Sequence, residues 1–215
     1  KILSELKYKN ILFDLDGTLI DSAPGIVESF SFAFNKIYGV ECIKDIKPLI
    51  GPPINEVLHT VNGETDSLVI KEFVDAFILH YDNEGFKKSQ LFENVSEVLK
   101  SLLNDKIELY IATNKREKPT NLILEYLNLN QYFKGVYCPD SFELIFENKT
   151  KLVHNLITSF TLEKSESLFV GDTSHDGIAA IANGLDFALV EYGYGNYENP
   201  TYTINNFNKI VNILQ

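Results

Sequence analysis

The 215-residue sequence has little cysteine, fewer basic than acidic residues, and no long apolar run. Its two cysteines, Cys42 and Cys138, are far apart and show no metal-ligand spacing, so we expect incidental or buried thiols in a reducing compartment. No apolar run approaches the roughly 18 residues of a membrane-spanning helix. No signal peptide is recognisable either, and a cytoplasmic location is therefore the default expectation.

The charge balance narrows the range of partners. Lys and Arg number 19 against 30 Asp and Glu, which gives a formal net charge of −11. An acidic chain is a poor candidate for binding nucleic acid or an anionic membrane, and we expect neither partner. A phosphate-bearing substrate would need local cations or a metal to offset this field. The hydrophobic content of 45% excludes disorder and is ample for a sizeable core.

The most informative stretch is an apolar run at residues 11–13 that stops on two acidic residues. Asp14 and Asp16 follow the run, and Gly17, which permits a sharp turn, comes next. Side chains two apart on an extended chain point the same way, so both carboxylates start on one side. Two acids at the end of a buried strand are unfavourable unless something positive lies between them. The stretch indicates a metal-assisted active site; the alternative is an ordinary solvated turn.

The hydrophobic pattern changes along the chain. In the first half it predicts helices at 23–38, 54–60 and 66–82, with a Pro- and Gly-rich break at 48–53, which is typical of an all-helical insert. In the second half it predicts helices at 94–104, 117–128, 149–159, 174–183 and 206–214, and strands at 107–112, 133–138, 167–170 and 187–190. Strands that alternate with helices predict an α/β fold with a parallel sheet covered on both faces.

Three of the predicted strands end in polar residues suited to one site. Ligands of doubly wound sheets bind beyond the carboxyl ends of the strands, so residues far apart in sequence can meet there. Four gathered carboxylates favour a hard divalent cation, for which Mg²⁺ is the usual choice beside phosphate. The alternatives are a helix cap after the third strand and a plain hydroxyl and turn former after the second. The residues are Asp14 and Asp16, Thr113 and Asn114, and Asp172 and Asp176.

Such a site also needs a cation. Lys149 and Lys151 lie at the start of the helix that precedes the strand ending at Asp172, and ordinary surface lysines are the alternative reading. Lys115 and Arg116 are interpreted as solvated charges or as groups that hold the anionic tail of a substrate. The Tyr-Gly-Tyr-Gly sequence at 192–195 predicts a flexible loop.

Taken in order, these motifs resemble the four motifs of the haloacid dehalogenase (HAD) superfamily over almost the whole chain. Motif three departs from many relatives, which have Lys-Pro where this chain has Lys-Thr-Lys, so Lys151 stays open as an alternative to Lys149. The motifs are Asp14-x-Asp16-Gly17-Thr18, Thr113-Asn114, Lys149 and Gly171-Asp172-x-x-x-Asp176. The resemblance implies a Rossmann-like core, residues 1–20 and 86–215, with an inserted all-helical cap, residues 21–85.

The resemblance also implies the roles of the site residues. Asp14 would be the nucleophile that forms an aspartyl-phosphate, and Asp16 would be the general acid and then the general base. Thr113 and Lys149 would stabilise the transferring phosphoryl group. The Mg²⁺ ligands would be Asp14, the backbone carbonyl of Asp16, and Asp172, with Asp176 in support. Gly17, Asn114 and, in the cap, Gly51 would bind substrate.

The acid at position 16 separates branches of the superfamily, because the dehalogenase branch lacks it and needs no metal. The loop Gly51-Pro52-Pro53 resembles the specificity loop of phosphoglycolate phosphatase-like members. We therefore predict a Mg²⁺-dependent phosphatase of a small phosphorylated metabolite that is a monomer or homodimer. The alternatives are a sugar phosphomutase similar to β-phosphoglucomutase and a non-catalytic binding protein on the same fold.

Overall fold

The computed structural model describes residues 6–142 and 145–214. The chain divides into two compact units, one formed by Lys1–Asp21 with Leu91–Gln215 and the other by Ser22–Gln90. The predicted cap boundary after residue 85 falls inside the second unit, and the division into core and cap domains stays a prediction. Within the described ranges, no helix is both long and apolar enough to cross a membrane.

The described residues form eight strands and seven α-helices. The strands are β1 (Asn10–Phe13), β2 (Ile20–Asp21), β3 (Gln90–Leu91), β4 (Glu108–Ala112), β5 (Gly135–Tyr137), β6 (Ser167–Gly171), β7 (Asp186–Val190) and β8 (Tyr202–Ile204). The helices are α1 (Ala23–Tyr38), α2 (Ile54–Asn62), α3 (Ser67–Asn83), α4 (Val95–Asn104), α5 (Glu117–Tyr126), α6 (Lys149–Phe160) and α7 (Ser174–Ala182). Short 3₁₀ turns span Lys47–Leu49, Gly85–Lys88, Asn130–Tyr132, Lys164–Glu166 and Phe207–Ile213.

The larger unit is built on a six-stranded parallel sheet in the order β5-β4-β1-β6-β7-β8. Strand β1 lies between β4 and β6, with Phe13 opposite Ile111 on one side and Val170 on the other. All four residues of β1 are buried, as expected for a parallel strand covered on both faces. This sheet confirms the predicted α/β, Rossmann-like class. It also brings the residues that follow β1, β4 and β6 to one edge.

Helices α6 and α7 cover one face of this sheet with apolar side chains at helical spacing. Leu152, Val153 and Leu156 of α6 pack in one buried cluster with Phe169 of β6 and Phe187 of β7. Each fully buried side chain of this size contributes about 1.5–3 kcal/mol relative to exposure, so the cluster fixes α6 firmly on the sheet. The first residue of α6 is thereby held at a defined place beside the carboxyl end of β6.

The second unit is helical and has its own aromatic core. Phe30 of α1 and Phe73 of α3 are fully buried, with ring centroids 5.0 Å apart. Helix α1 ends at Gly39, whose φ of 69° is the left-handed conformation that glycine adopts without strain. Helix α3 is capped by Asp66, whose side chain accepts hydrogen bonds from the first turn.

Three details differ from the sequence-based prediction. Strand β8 was not predicted, because Tyr202–Ile204 is only three residues long and pairs at the sheet edge with β7 alone. The predicted terminal helix at 206–214 is a 3₁₀ segment, Phe207–Ile213; Phe207 and Ile210, three apart, are buried together, and 3₁₀ geometry places such residues in line. The two-residue strands β2 and β3, which pair with each other, were also missed.

Candidate active site

Asp14 is fixed at the carboxyl end of the central strand. Its backbone N–H donates to the carbonyl of Val170 at 2.9 Å, which continues the ladder between β1 and β6 by one residue. Gly17 follows with a φ of 81°, and a Cβ there would collide with the Asp172 carboxylate. Only glycine therefore lets the chain turn this close to the strand that follows α6. The Asp14 side chain itself is buried.

Three buried carboxylates meet at this edge. Oxygens of Asp14, Asp172 and Asp176 lie within 4.8 Å of one another. The capping box at the start of α7 orients Asp176, because its Oδ2 accepts from the backbone N–H groups of Asp172, at 3.1 Å, and Thr173, at 3.0 Å. The helix cap that was the alternative reading of this turn is thus present. The other carboxylate oxygen of Asp176, Oδ1, faces the cluster.

Lys149 supplies the positive charge at the cluster. Its Nζ lies 2.5 Å from Asp14 Oδ1 and 2.5 Å from Asp176 Oδ1, and its side chain is 5% exposed. Lys151, the alternative considered from sequence, is exposed and pairs with Glu147, which lies four residues earlier and before the helix begins. Since α6 begins at Lys149, the first residue of the helix reaches the site while the third faces away from it.

Burial and charge shift the pKa values of the cluster. Burial raises the pKa of Asp14 well above its ordinary value; Lys149 opposes this shift, and the charges of Asp176 and Asp172 add to it. Burial, with the charge of Asp176, raises the pKa of Asp172 to about 7. Burial disfavours the charge on Lys149, but Asp14 and Asp176 outweigh it and raise the pKa of the lysine. The carboxylates are thus short of positive charge.

The donor set fits a hard divalent cation. Carboxylate oxygens are the ligands that Mg²⁺ and Ca²⁺ take, and three buried carboxylates that share one lysine carry excess negative charge. A cation among them would relieve the cost of that burial. The cluster can therefore bind a metal ion.

The carboxylate of Asp16 does not join the cluster, which corrects the predicted set of four gathered carboxylates. Its Oδ1 lies 3.1 Å from Nζ of Lys115, whose side chain is 9% exposed. Lys115 is therefore not the solvated charge predicted from sequence. The position of Lys115 directly after Thr113-Asn114 was the available signal, but nothing in the sequence indicated that its side chain would turn towards Asp16. The predicted role of the Asp16 backbone carbonyl as a metal ligand stays a prediction.

The remaining predicted residues lie in different settings. Thr113 is buried at the end of β4, and its Oγ1 accepts from the backbone N–H of Lys115 at 3.1 Å. Asn114 is exposed beside it. Gly51 belongs to the second unit, where it is exposed and has a φ of 137°. The substrate-binding roles of Gly17, Asn114 and Gly51 stay predictions.

The loop at residues 192–195 is held against the site, in contrast to the predicted flexible loop. The backbone N–H of Tyr194 donates to Asp172 Oδ2 at 2.7 Å, and its hydroxyl donates to Asp21 Oδ1 at 2.7 Å. The Tyr192 hydroxyl donates to the carbonyl of Thr18 at 2.8 Å. The two glycines of the Tyr-Gly-Tyr-Gly sequence suggest a flexible loop, but in the structure they allow the loop to pack closely against Asp172.

The fold and the site together place a cluster of three buried carboxylates beyond the central strand of a parallel sheet. The family model described as haloacid dehalogenase-like hydrolase matches residues 11–190, so the chain belongs to that family. The predicted superfamily is thereby confirmed, and the match spans every motif quoted for the resemblance.

Two named relatives are similar to most of this chain. The chain is similar to tyrosine-protein kinase PtkA of Mycobacterium tuberculosis, with 32% identity over 187 residues that cover 86% of this chain and 62% of the relative. It is similar to a phosphoglycolate phosphatase of Photobacterium profundum, with 30% identity and 96% of each chain covered. It thus spans about three fifths of the length of the kinase relative and nearly all of the phosphatase relative.

A solved structure supports the fold over the full length. A haloacid dehalogenase-like family hydrolase from Streptococcus pneumoniae superposes with a TM-score of 0.86 at 26% identity, covering 97% of this chain and 99% of the other. The predicted family, a HAD-like hydrolase, is thus confirmed, and relatives such as that of Photobacterium profundum are named as phosphatases.

Proposed function

We propose that the chain is a Mg²⁺-dependent phosphatase that hydrolyses a small phosphomonoester, phosphoglycolate-like in class, through an aspartyl-phosphate, and that it acts in the cytoplasm. The observation that carries the proposal is the placement of Asp14: a buried carboxylate at the end of β1, 2.5 Å from Lys149 and within a three-carboxylate cluster. An aspartate with a purely structural role would not need a buried lysine and two further buried carboxylates beside it.

In the first proposed step, an Asp14 carboxylate oxygen attacks phosphorus, and the bond from phosphorus to the leaving oxygen breaks. Asp16 donates a proton to that oxygen, so the alcohol departs neutral. Lys149 and the Thr113 hydroxyl would hold phosphoryl oxygens. Positioning and charge neutralisation are what phosphoryl transfer asks of a protein, and a buried lysine beside the nucleophile supplies both.

In the second proposed step, water attacks the aspartyl-phosphate. Asp16 takes a proton from the water, the bond from phosphorus to Asp14 breaks, and inorganic phosphate leaves. Asp14, Asp172 and the Asp16 backbone carbonyl would hold Mg²⁺, with Asp176 in support. The bound ion would neutralise negative charge on the phosphoryl group.

The helical unit is proposed to choose the leaving group through its Gly51-Pro52-Pro53 loop. Pro52 of this loop lines a cavity of about 220 Å³ within that unit, together with Pro48, Leu49, Ile50, Glu56, Val57 and Thr60. Its lining is mostly apolar.

A screen of phosphorylated metabolites for phosphate release tests the proposal. We expect release from one or a few small phosphomonoesters with Mg²⁺ and none with EDTA. A requirement for a bisphosphorylated activator, with the phosphoryl group returned to the sugar, would identify the phosphomutase instead. Transfer from ATP to a tyrosine peptide would identify a kinase reaction like the one that the PtkA relative is named for. Binding without turnover of any compound would leave the non-catalytic alternative.

A further inference from the structure

Asp172 is held from two sides within the larger unit. Its Oδ1 accepts from the Thr18 hydroxyl at 3.3 Å, on the segment after β1. Its Oδ2 accepts from the Tyr194 backbone N–H at 2.7 Å, on the loop after β7. Each carboxylate oxygen thus has a donor that fixes its direction. A ligand whose two oxygens are oriented in this way is pre-organised, because it needs no rearrangement when a cation arrives.

The loop that carries Tyr194 packs against Asp172 without room for a side chain. A Cβ at Gly193 would collide with the side chain of Asp172 and would lie 2.6 Å from the carbonyl oxygen of Gly17. A Cβ at Gly195 would lie 3.1 Å from the carbonyl oxygen of Asp172. The backbone on both sides of Tyr194 therefore rests on the residue that it holds.

The Tyr194 side chain fastens this loop at a second point. Its hydroxyl donates to Asp21 Oδ1 at 2.7 Å, and Asp21 ends strand β2, the last residue of this unit before the chain enters the helical unit. The residue whose N–H reaches Asp172 is thus also bonded through its side chain to Asp21. Neither Tyr194 nor Asp21 belongs to the carboxylate cluster.

We propose that Tyr194 is a positioning residue that, through its bond to Asp21, orients Asp172 for cation binding. The proposal rests on the proposed metal site. It assigns no contact with substrate to Tyr194. Outer-shell partners of metal ligands change affinity by about 10–100-fold when removed. Because Tyr194→Phe removes only the anchor and keeps the N–H, the expected change is at the lower end, about tenfold.

Mn²⁺ binding to the full chain, measured by electron paramagnetic resonance of the free ion, tests this without any substrate. We expect the Kd to rise about tenfold in Tyr194→Phe. We expect Asp21→Ala to weaken binding as well, and the effects of the two changes to be less than additive in the double variant, since both remove the bond between Tyr194 and Asp21. Asp21→Asn keeps an acceptor oxygen and should restore binding close to that of the parent. Circular dichroism melting checks that each variant is folded.

Tyr197→Phe is the matched control. It makes the same chemical change three residues away, where the ring packs on Phe187 and the hydroxyl has no hydrogen bond among the described residues. Its Kd should equal that of the parent. A Tyr194→Phe protein that is folded and binds Mn²⁺ within twofold of the parent overturns the proposal, and so does an Asp21→Asn protein that binds as weakly as Asp21→Ala.

The same titration separates this proposal from the proposed function. If Asp172→Asn binds Mn²⁺ as tightly as the parent, the cluster is not the metal site and both proposals fail. If the parent binds Mn²⁺ through Asp172 but releases phosphate from no substrate, the phosphatase proposal fails while the role of Tyr194 stands or falls on its own Kd.

Discussion

The two ends of the central sheet treat charge in opposite ways. At the amino ends of the strands, carboxylates pair one to one with partly exposed lysines: Asp186 with Lys7, Glu166 with Lys9, and Glu108 with Lys134. At the carboxyl ends, Asp14, Asp172 and Asp176 are buried together around Lys149. Exposed pairs contribute little to stability, whereas unbalanced buried charge is unfavourable and needs a reason. The difference indicates that the carboxyl edge is arranged for a ligand.

The largest expected effect comes from a substitution of Asp14, the proposed nucleophile. Asp14→Asn should lower kcat/KM for the best substrate by at least about 10³-fold, because an amide cannot form the aspartyl-phosphate. Steady-state kinetics measures this, and circular dichroism should show a folded protein. Glu166→Gln at the opposite edge is the control and should keep activity within about twofold, as for a surface change. Full turnover by Asp14→Asn would show that the nucleophile assignment is wrong.

The two edges should also differ in how much a lysine matters for stability. Lys149→Met leaves Asp14 and Asp176 buried without their cation, so we expect the free energy of unfolding to fall by about 3 kcal/mol. Lys134→Met breaks the exposed pair with Glu108 and should lower it by less than about 1 kcal/mol. Urea unfolding of both variants in EDTA gives the comparison. Equal losses would mean that the buried cluster is no more demanding than a surface pair.

The pH dependence of stability sharpens the contrast further. Because burial raises the pKa of Asp172 to about 7, the native state binds more protons than the unfolded state between the ordinary pKa of an aspartate and pH 7. Stability of the metal-free protein should therefore fall as the pH rises through that window. Asp172→Asn removes this contribution. The melting temperature of this variant should therefore rise relative to that of the parent as the pH increases from 5 to 8.

An exposed aspartate provides the control for that pH experiment. Asp75 pairs with Lys71 on the surface of α3, and Asp75→Asn is the same substitution at an exposed site. A pH dependence of the melting temperature in Asp172→Asn that is parallel to that of the parent would show that burial of Asp172 has no proton linkage.

The smallest effect is expected at the amino edge itself. Asp186→Asn keeps an oxygen that can accept from Tyr8 and Lys7, so we expect a change of less than about 1 kcal/mol in the free energy of unfolding and none in kcat. Urea unfolding and steady-state kinetics measure both. A loss of activity in this variant would show that the two edges are coupled, which the comparison does not predict.

The sequence was sufficient for five of the six strands described in the sheet and for three of the four acids expected at its edge, because both follow from local pattern. A buried apolar run that stops on Asp14 predicts a strand end, and parallel strands bring Asp172 to the same edge whatever their separation in sequence. Contacts that depend on the direction of a side chain could not be predicted from the sequence. Lys115 turns towards Asp16, and Tyr194 reaches Asp21, and neither contact has a periodicity that a single sequence records.

Short elements at the edge of the sheet could not be predicted from the sequence either. Strand β8 and the 3₁₀ segment Phe207–Ile213 are set by pairing and packing at the sheet edge, where three to seven residues carry too little pattern to decide. The prediction of a flexible loop at 192–195 was wrong for a different reason. Its glycines permit either mobility or close packing, and only the position of Asp172 beneath Gly193 decides between them.

The melting temperature of the protein at pH 8, with and without saturating Mg²⁺, tests the shared-cation account most directly. A cation that binds the folded cluster and not the unfolded chain must raise the melting temperature, and we expect a rise in the parent and none in Asp172→Asn. The same melting temperature with and without Mg²⁺ in the parent, or an equal rise in Asp172→Asn, would contradict the claim that these three carboxylates hold the ion.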